Sequence, residues 1–196
     1  MGIPGGDIQI IPAKLHFRMK LRVLAIFAAA LWAGAVGAQD DGKLAPYYPT
    51  PETVVQKMLV LGGLQAGETM FDLGSGDGRI VIMAARKFHA HAVGIELDQD
   101  LCRQSLQRIR SLGLGEAAQI VHGDILKQDY SSADLVTVYL FPSSNDKVQP
   151  LLERQLKKGA RVVAHDFEFR RWTPDKVQDI EDDGAGRSHT LFLYRR

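Results

Sequence analysis

Cysteine is almost absent from this sequence, whose 196 residues contain only Cys102. A single thiol forms no internal disulfide, and the cysteine and histidines lack the spacing of a structural zinc site. We therefore predict neither a metal nor a disulfide. A charge excess of one sign is also lacking, because 24 Lys and Arg residues are balanced by 23 Asp and Glu residues. That balance gives no general electrostatic reason to bind nucleic acid, so none is predicted as a partner.

The composition nevertheless supports a folded core. Hydrophobic residues make up 45% of the chain, which is close to the usual fraction in globular proteins and excludes a mainly disordered chain. A length of 196 residues suits one ordinary domain with a short appendage and is too small for two full domains.

The N-terminal part has the pattern of a targeting segment. Lys20 and Arg22 precede an apolar stretch, and small residues follow before the polar Gln39. This order is typical of a secretory signal peptide cleaved after Ala38, with an uncleaved membrane anchor as the alternative. The uncharged stretch 23–38 has 16 residues, fewer than the roughly 18 to 20 that cross a bilayer comfortably.

We therefore divide the chain into two regions. Residues 1–38 are predicted to form an N-terminal extension with a signal peptide or membrane anchor, and residues 39–196 the functional domain. This predicts a domain that is exported to the periplasm or attached to the membrane through the N-terminal segment alone. Without residues 1–38 the chain keeps 20 positive and 22 negative charges, so the domain is mildly acidic.

Strand-like and helix-like segments alternate after about residue 47. Apolar and β-branched runs that end at turn residues indicate buried strands, and apolar residues in helical spacing indicate helices. A short loop of turn formers at 182–186 joins the last two strand-like segments, which predicts a hairpin. The predicted strands are 69–73, 92–95, 118–121, 134–140, 160–164, 176–181 and 188–194, and the predicted helices are 79–88, 99–112 and 147–156.

This order predicts an α/β fold. Repeated β-α units give a Rossmann-like, mostly parallel sheet with helices on both faces, and the final hairpin makes the last of seven strands antiparallel. Such sheets bind ligands at the carboxyl ends of their strands, near the point where the strand order reverses. We therefore expect the functional site in the loops after the first four strands.

The loops after the first two strands carry residues suited to a nucleoside. Gly74, Gly76 and Gly78 follow the first strand and allow the backbone to turn sharply and approach a ligand closely. Glu96 ends the second strand, about 20 residues further on, as suits an acceptor for two ribose hydroxyls.

The third strand and two further acids narrow the choice of nucleoside. Asp124 suits the amino group of an adenine, with Ile125 packed on the ring. A glycine loop followed by an acid serves a dinucleotide as well as S-adenosylmethionine. Asp72 and Asp77 favour S-adenosylmethionine, because carboxylates attract its ammonium and sulfonium groups and repel a pyrophosphate.

Several segments resemble one family. The sequences FDLGSGDGRI at 71–80 and GIELD at 94–98 resemble the first two motifs of the seven-strand S-adenosylmethionine-dependent methyltransferases. With YYPTP at 47–51 and WTPD at 172–175, they resemble more specifically the mitochondrial lysine methyltransferases that modify the c-ring protein of ATP synthase and the adenine nucleotide translocase. The resemblance covers about residues 47–194.

The resemblance implies an enzyme that uses S-adenosylmethionine to N-methylate a lysine side chain of a protein substrate. Tyr139, with Phe141 and Pro142 at the end of the fourth strand, is the candidate lining of the acceptor site. Methylation of a small molecule is an alternative, and so is an exported nucleoside-binding module without turnover. The predicted cofactor-binding residues are Tyr48, Thr50, Asp72, Gly74, Ser75, Gly76, Gly78, Glu96, Asp124 and Ile125.

Histidines near the ends of the predicted strands have no assigned role in this site. His165 and Asp166 follow the fifth strand, where we expect a solvent-exposed strand end rather than a pair that handles protons. His189 is likewise expected at the surface or at a strand end. An export signal also conflicts with a cofactor that is made in the cytoplasm.

Overall fold

The computed structural model describes Gly2 and residues 47–196. The predicted signal peptide or anchor lies outside the described residues, so the division at residue 38 stays a prediction. Within the described part of the chain, no helix combines the length and the hydrophobicity that a bilayer crossing requires.

Helices and strands alternate through residues 47–196, as the sequence predicts. The helices are α1 (Glu52–Leu61), α2 (Arg79–Phe88), α3 (Gln99–Ser111) and α4 (Pro142–Gln155), with a short 3₁₀ helix at Ile125–Lys127. The strands are β1 (Thr69–Leu73), β2 (His91–Glu96), β3 (Ala118–His122), β4 (Leu135–Val138), β5 (Arg161–His165), β6 (Lys176–Ile180) and β7 (His189–Arg195).

The strands form one seven-stranded sheet in the order β3-β2-β1-β4-β5-β7-β6. The first five strands pair in parallel, whereas β7 runs antiparallel to both β5 and β6. The predicted fold class and the antiparallel last strand are therefore confirmed. The strand order reverses between β1 and β4, so the carboxyl ends of these strands open a crevice there.

Helices cover both faces of the sheet because the strands are apolar on both sides. Alternate residues of one strand enter different core clusters: Met70 packs with α1, α2 and α3, and Phe71 packs with α4. Val163 and Val162 divide in the same way in β5. This two-sided burial is the arrangement that near-continuous hydrophobic strands require.

Two element boundaries differ from the sequence prediction by more than one residue. β4 stops at Val138, so Tyr139 and Leu140 leave the sheet instead of extending it. α4 begins at Pro142, five residues before the predicted start, because proline in the first helical turn loses no hydrogen bond and already has a helical φ. Pro142 therefore both ends the preceding segment and starts a helix.

The helix α1 was not predicted. Its buried residues Val54, Val55, Met58 and Leu59 do follow helical spacing, and the Val55 amide donates to the Pro51 carbonyl at 2.9 Å to form its first turn. Only Pro51 separates this helix from residues 47–50.

Candidate active site

An open cavity lies at the carboxyl ends of the parallel strands. Its walls come from the loops after β1, β2, β3 and β4, together with residues 47–50, which is the position that the fold predicts. Ten predicted site residues line it: Tyr48, Thr50, Asp72, Gly74, Ser75, Gly76, Glu96, Asp124, Ile125 and Tyr139. The predicted residues Gly78, Phe141 and Pro142 are not part of this lining.

The glycine loop turns over the end of β2. The amides of Gly74 and Ser75 both donate to the Ile95 carbonyl, at 2.9 and 3.0 Å. Gly76 has a φ of +53°, and a Cβ at this position would lie 2.7 Å from the Tyr47 ring. Gly76 therefore needs to be glycine both for its backbone conformation and for the close approach of an aromatic side chain.

Gly78 lies behind the glycine loop, between α2 and α3. It precedes α2 with a φ of +73°, and a Cβ there would lie 3.1 Å from the Cβ of Ser105 on α3. Its small size lets α2 and α3 approach each other. Gly78 thus packs against α3 and is not part of the cavity lining.

Glu96 connects the glycine loop to the end of β2. One carboxylate oxygen accepts a hydrogen bond from the Gly76 amide at 2.7 Å, and the other accepts from the Asp98 amide at 2.9 Å. A carboxylate oxygen has more than one acceptor position, so each can still accept from a hydroxyl in the cavity. Two backbone amides thereby fix the orientation of the predicted ribose acceptor.

Asp72 is buried at the floor of the cavity, with 3% of its surface exposed. The Thr137 hydroxyl on β4 donates to its carboxylate at 2.8 Å. Burial raises the pKa of Asp72 to about 7, and the nearby charges of Glu96 and Asp77 act in the same direction. A cation in the cavity would counter this effect and favour the ionised carboxylate.

Asp77 is less available to a ligand than the sequence analysis expected. Burial raises its pKa, but two Arg79 hydrogen bonds of 2.9 Å and the guanidinium charge outweigh that effect and leave the pKa below its usual value. Arg79 also donates to the Thr50 carbonyl at 2.8 Å. Arg79 therefore holds residues 47–50 over the glycine loop, a function that its sequence position did not reveal.

Asp124 both caps a helix and lines the cavity. Its carboxylate accepts from the Leu126 amide at 2.9 Å and caps the 3₁₀ helix, while the residue also lines the cavity. Lys127 lies 3.7 Å from the second carboxylate oxygen. Ile125 is buried next to it and presents the apolar surface on which a planar ring would pack.

The cavity opens beside four aromatic side chains, which we call the aromatic rim: Tyr48, Tyr139, Phe141 and Phe167. The ring of Tyr139 stacks with Phe167 at 6.2 Å and meets Tyr48 edge-on at 6.5 Å. Phe141 contacts the other rim residues only through Phe167, with 5.7 Å between the ring centroids. That Phe141 lines the acceptor entrance stays a prediction, and Phe167 is a rim residue that was not predicted from the sequence.

The histidines behind the rim correct one expectation. His165 ends β5 but is fully buried and contacts His189, so it is not solvent-exposed. His189 begins β7, at a strand end as expected, and is nearly fully buried. Burial lowers the pKa of His165, and the neighbouring His189 lowers it further against the opposing effect of Asp166. These residues are 24 positions apart in the chain and meet only because β5 pairs with β7.

The residues present fit S-adenosylmethionine. Asp72, Glu96 and Asp124 give the cavity carboxylates at the ends of three strands, whereas Arg79 already has Asp77 as its partner. Negative charge suits a ligand that carries a sulfonium and an ammonium, and it disfavours phosphates. The Ser75 hydroxyl is buried on the cavity wall and has no hydrogen-bond partner among the described residues, so it is free to bond a ligand.

This sheet and this acidic nucleoside cavity define the class of S-adenosylmethionine-dependent methyltransferases. Residues 72–176 match the family model of the ANTKMT methyltransferase domain. The chain belongs to that family. The predicted family, the methyltransferase activity and its cofactor are thereby confirmed, while the roles of individual site residues stay predictions.

Two curated relatives are similar to most of the domain. A protein-lysine N-methyltransferase of Saccharolobus islandicus is 42% identical over 150 residues, which are 76% of this chain and 92% of the relative. A human lysine N-methyltransferase, named for its action on the c-type subunit of ATP synthase, is 35% identical over 132 residues, covering 67% of this chain. The match spans only 56% of the human protein.

A solved structure agrees with the fold and with the cofactor. It is described as an RNA methyltransferase from Salinibacter ruber in complex with S-adenosyl-L-homocysteine, and it is 42% identical to this chain with a TM-score of 0.71. The similarity covers 76% of this chain and 93% of that one. S-adenosylhomocysteine is the demethylated form of the cofactor, so a similar chain holds the expected product.

Proposed function

We propose that this methyltransferase N-methylates a lysine side chain of a protein. The observation that carries the proposal is the aromatic rim beside an acidic cavity, because aromatic faces attract ammonium groups and pack against alkyl stems. The Saccharolobus relative, of which this chain spans 92%, is named a protein-lysine N-methyltransferase. Its name supports the same acceptor class.

The chemistry asks little of the protein beyond binding and orientation. S-adenosylmethionine supplies a methyl group bonded to a positively charged sulfur. A neutral lysine nitrogen must lie in line with that bond, so that its lone pair forms the new N–C bond while the C–S electron pair leaves with the sulfur. The amine gives its proton to solvent at the open mouth before it attacks.

Each side of the cavity has a role in this geometry. Glu96 and Asp72 would bind the ribose and the cationic part of the cofactor, and the glycine loop would approach it closely. Burial raises the pKa of Tyr139 to about 12, and the Asp166 carboxylate that its hydroxyl hydrogen-bonds acts in the same direction, so the hydroxyl stays protonated at neutral pH. Its oxygen lone pairs can still accept from an amine N–H. We therefore assign Tyr139 to holding the amine and not to removing its proton.

The acceptor class can be tested with labelled methyl groups. The full chain is incubated with S-adenosylmethionine carrying a labelled methyl group and with an extract of cells from which its gene has been deleted. We expect label in material that protease digests, and methylated lysine in its hydrolysate. The Glu96→Ala variant serves as the inactive control.

The remaining outcomes separate the alternatives. Label that ribonuclease releases would overturn the lysine proposal in favour of the acceptor class in the description of the Salinibacter ruber structure. Label found only in the acid-soluble fraction would identify a small-molecule acceptor. Cofactor binding by a folded chain without any transfer would indicate a binding module.

We also propose that residues 1–38 export the domain or anchor it to the membrane. The charged start and apolar stretch support this localisation, although the cofactor is made in the cytoplasm. Cell fractionation with N-terminal sequencing of the mature chain tests it. A chain that begins at Gln39 in the periplasm indicates cleavage, a longer chain in the membrane fraction indicates an anchor, and an uncleaved chain in the cytoplasm contradicts the proposal.

A further inference from the structure

Three possible metal ligands converge where β5 ends and β7 begins. The Nε2 atom of His165 lies 2.9 Å from Nδ1 of His189, and these atoms lie 3.3 and 3.2 Å from Oδ2 of Asp166. The three atoms form a nearly equilateral triangle. His165 and His189 are buried, whereas the Asp166 side chain is about a quarter exposed.

The tautomer of His189 decides whether a hydrogen bond or a lone pair faces this triangle. A neutral histidine carries one N–H. With that proton on Nε2, toward Asp183 Oδ2 at 3.3 Å, Nδ1 of His189 is a lone pair that faces the Asp166 carboxylate oxygen at 3.2 Å. In this tautomer His189 and Asp166 both present acceptor atoms to the centre of the triangle.

A divalent cation would bind the acceptor atoms of this tautomer. With metal–ligand bonds of about 2.0 to 2.1 Å, neighbouring ligand atoms lie about 2.9 Å apart at right angles and about 3.3 Å apart in a tetrahedron. The three observed separations fall within that interval. We propose that His165, Asp166 and His189 bind a divalent transition-metal ion such as zinc, with at least one coordination position left to water or a ligand.

The surrounding residues orient the three ligands as metal sites require. The ring nitrogens turned away from the triangle each have a partner: Asp183 for His189, and the Thr50 hydroxyl at 3.4 Å for His165. Such outer partners set the tautomer and the ring orientation of metal-bound histidines. The Thr190 amide donates to the other oxygen of Asp166 at 3.0 Å, which leaves Oδ2 to face the histidines.

The proposed site lies directly behind the methyl-transfer cavity. The Tyr139 ring packs on His165 with 3.9 Å between centroids, and Thr50 contacts the same histidine from residues 47–50. Both Tyr139 and Thr50 line the cavity. A bound ion would join β5, β7 and residues 47–50, and would therefore stabilise the wall that holds Tyr139.

Metal binding can be measured directly on the full chain without an affinity tag. After removal of metal with a chelator, Zn²⁺ is titrated calorimetrically and Co²⁺ is followed by its visible absorption. We expect one ion per chain and a rise in Tm with Zn²⁺. The Asp166→Asn variant should bind at least about tenfold more weakly, and His189→Ala should lose the site.

Matched controls decide between this site and adventitious binding. His91 is an exposed histidine at the opposite end of the sheet, so His91→Ala should bind like the natural chain. X-ray absorption on the zinc-loaded natural chain needs no variant, and it should show two imidazole ligands. Absence of stoichiometric binding, binding retained in Asp166→Asn and His189→Ala, or coordination without imidazole would overturn the proposal.

Discussion

The two sides of the cavity are assembled in different ways. On the cofactor side, the acids and glycines come from three successive loops after β1, β2 and β3, and backbone amides orient Glu96. On the acceptor side, Tyr48 precedes α1, Tyr139 follows β4 and Phe167 follows β5, so the rim depends on contacts between distant segments. The cofactor-side residues lie in loops that follow one another along the chain. The rim residues come from distant segments that only the tertiary fold brings together.

This difference separates cofactor binding from acceptor recognition in physical terms. On the cofactor side, hydrogen bonds between the ends of neighbouring parallel strands hold Glu96 and Asp72, from the Gly76 amide and the Thr137 hydroxyl respectively. The acceptor side moves whenever β7, residues 47–50 or the loop after β5 shifts. Variants on the cofactor side should therefore change cofactor affinity, and variants on the acceptor side should change transfer to the acceptor.

The largest effect is expected for Glu96→Ala. Two charge-assisted hydrogen bonds to ribose hydroxyls would be lost, each contributing about 1.5 to 3 kcal/mol, so S-adenosylmethionine should bind at least about 100-fold more weakly. Calorimetric titration of the full chain measures this. The exposed Glu116 gives a matched control, since Glu116→Ala should bind normally. An affinity in Glu96→Ala within about threefold of the natural chain would remove Glu96 from the site.

Asp72→Asn separates stability from binding. The pKa of Asp72 is raised to about 7 in the folded chain. The stability that the protonated carboxyl contributes to the folded state is therefore fully present below about pH 4, and it is lost as the pH rises through about 7. Asn carries no buried charge and can still accept from Thr137. At pH 8 the variant should be more stable to urea by up to about 4 kcal/mol.

The same variant should bind the cofactor more weakly at pH 8, because a cation loses its carboxylate partner. Affinity of the natural chain should rise with pH through about 7, while that of Asp72→Asn should stay flat. Calorimetry across this pH range checks both chains. A natural chain with no pH dependence, or a variant that binds equally well, would contradict the assignment of Asp72 to the cofactor.

Tyr139→Ala probes the acceptor side alone. Loss of the ring opens the rim, so kcat/KM for the acceptor should fall about tenfold, the order expected when positioning is weakened. Cofactor affinity should change little. Tyr139→Phe keeps the ring and removes only the hydroxyl, which makes it the matched control with a smaller loss. Equal losses in cofactor affinity and transfer would show that the two sides are not separate.

The smallest effect on function is expected for Gly78→Ala. A side chain with φ near +73° costs about 1 to 2 kcal/mol, and the added Cβ also meets Ser105. Gly159 has a φ of +87° with open space around it, so Gly159→Ala reports the backbone cost alone. Urea unfolding should place Gly78→Ala below Gly159→Ala, with normal cofactor affinity in both. Strong loss of affinity would restore Gly78 to the cofactor contacts.

The sequence was informative where structure is local. The glycines and Glu96 could be predicted because a strand, a tight turn and an acid follow one another within about 20 residues. The helix predicted at 99–112 is α3, and Asp98 just before it supplies a local cap by accepting from the amides of Asp100 and Leu101. Such signals act between neighbours and do not depend on the tertiary fold.

Long-range assembly explains what was missed. His165 and His189 looked like separate residues at the surface or at strand ends, because no spacing rule links positions that are joined only by antiparallel pairing. Arg79 gave no sign that it would bond the Thr50 carbonyl, 29 residues earlier. Phe167 entered the rim through the turn after β5. In each case the partner is set by the sheet and not by the nearby sequence.

A crystal structure of the full chain with S-adenosylhomocysteine tests the central claim most directly. The account predicts that both ribose hydroxyls lie within about 2.5 to 3.0 Å of the Glu96 carboxylate, with the adenine against Ile125 and the sulfur facing Tyr139. The cavity would then contain both the cofactor and the approach of the lysine. A ligand bound elsewhere, or in this cavity without contact to Glu96, would contradict the account.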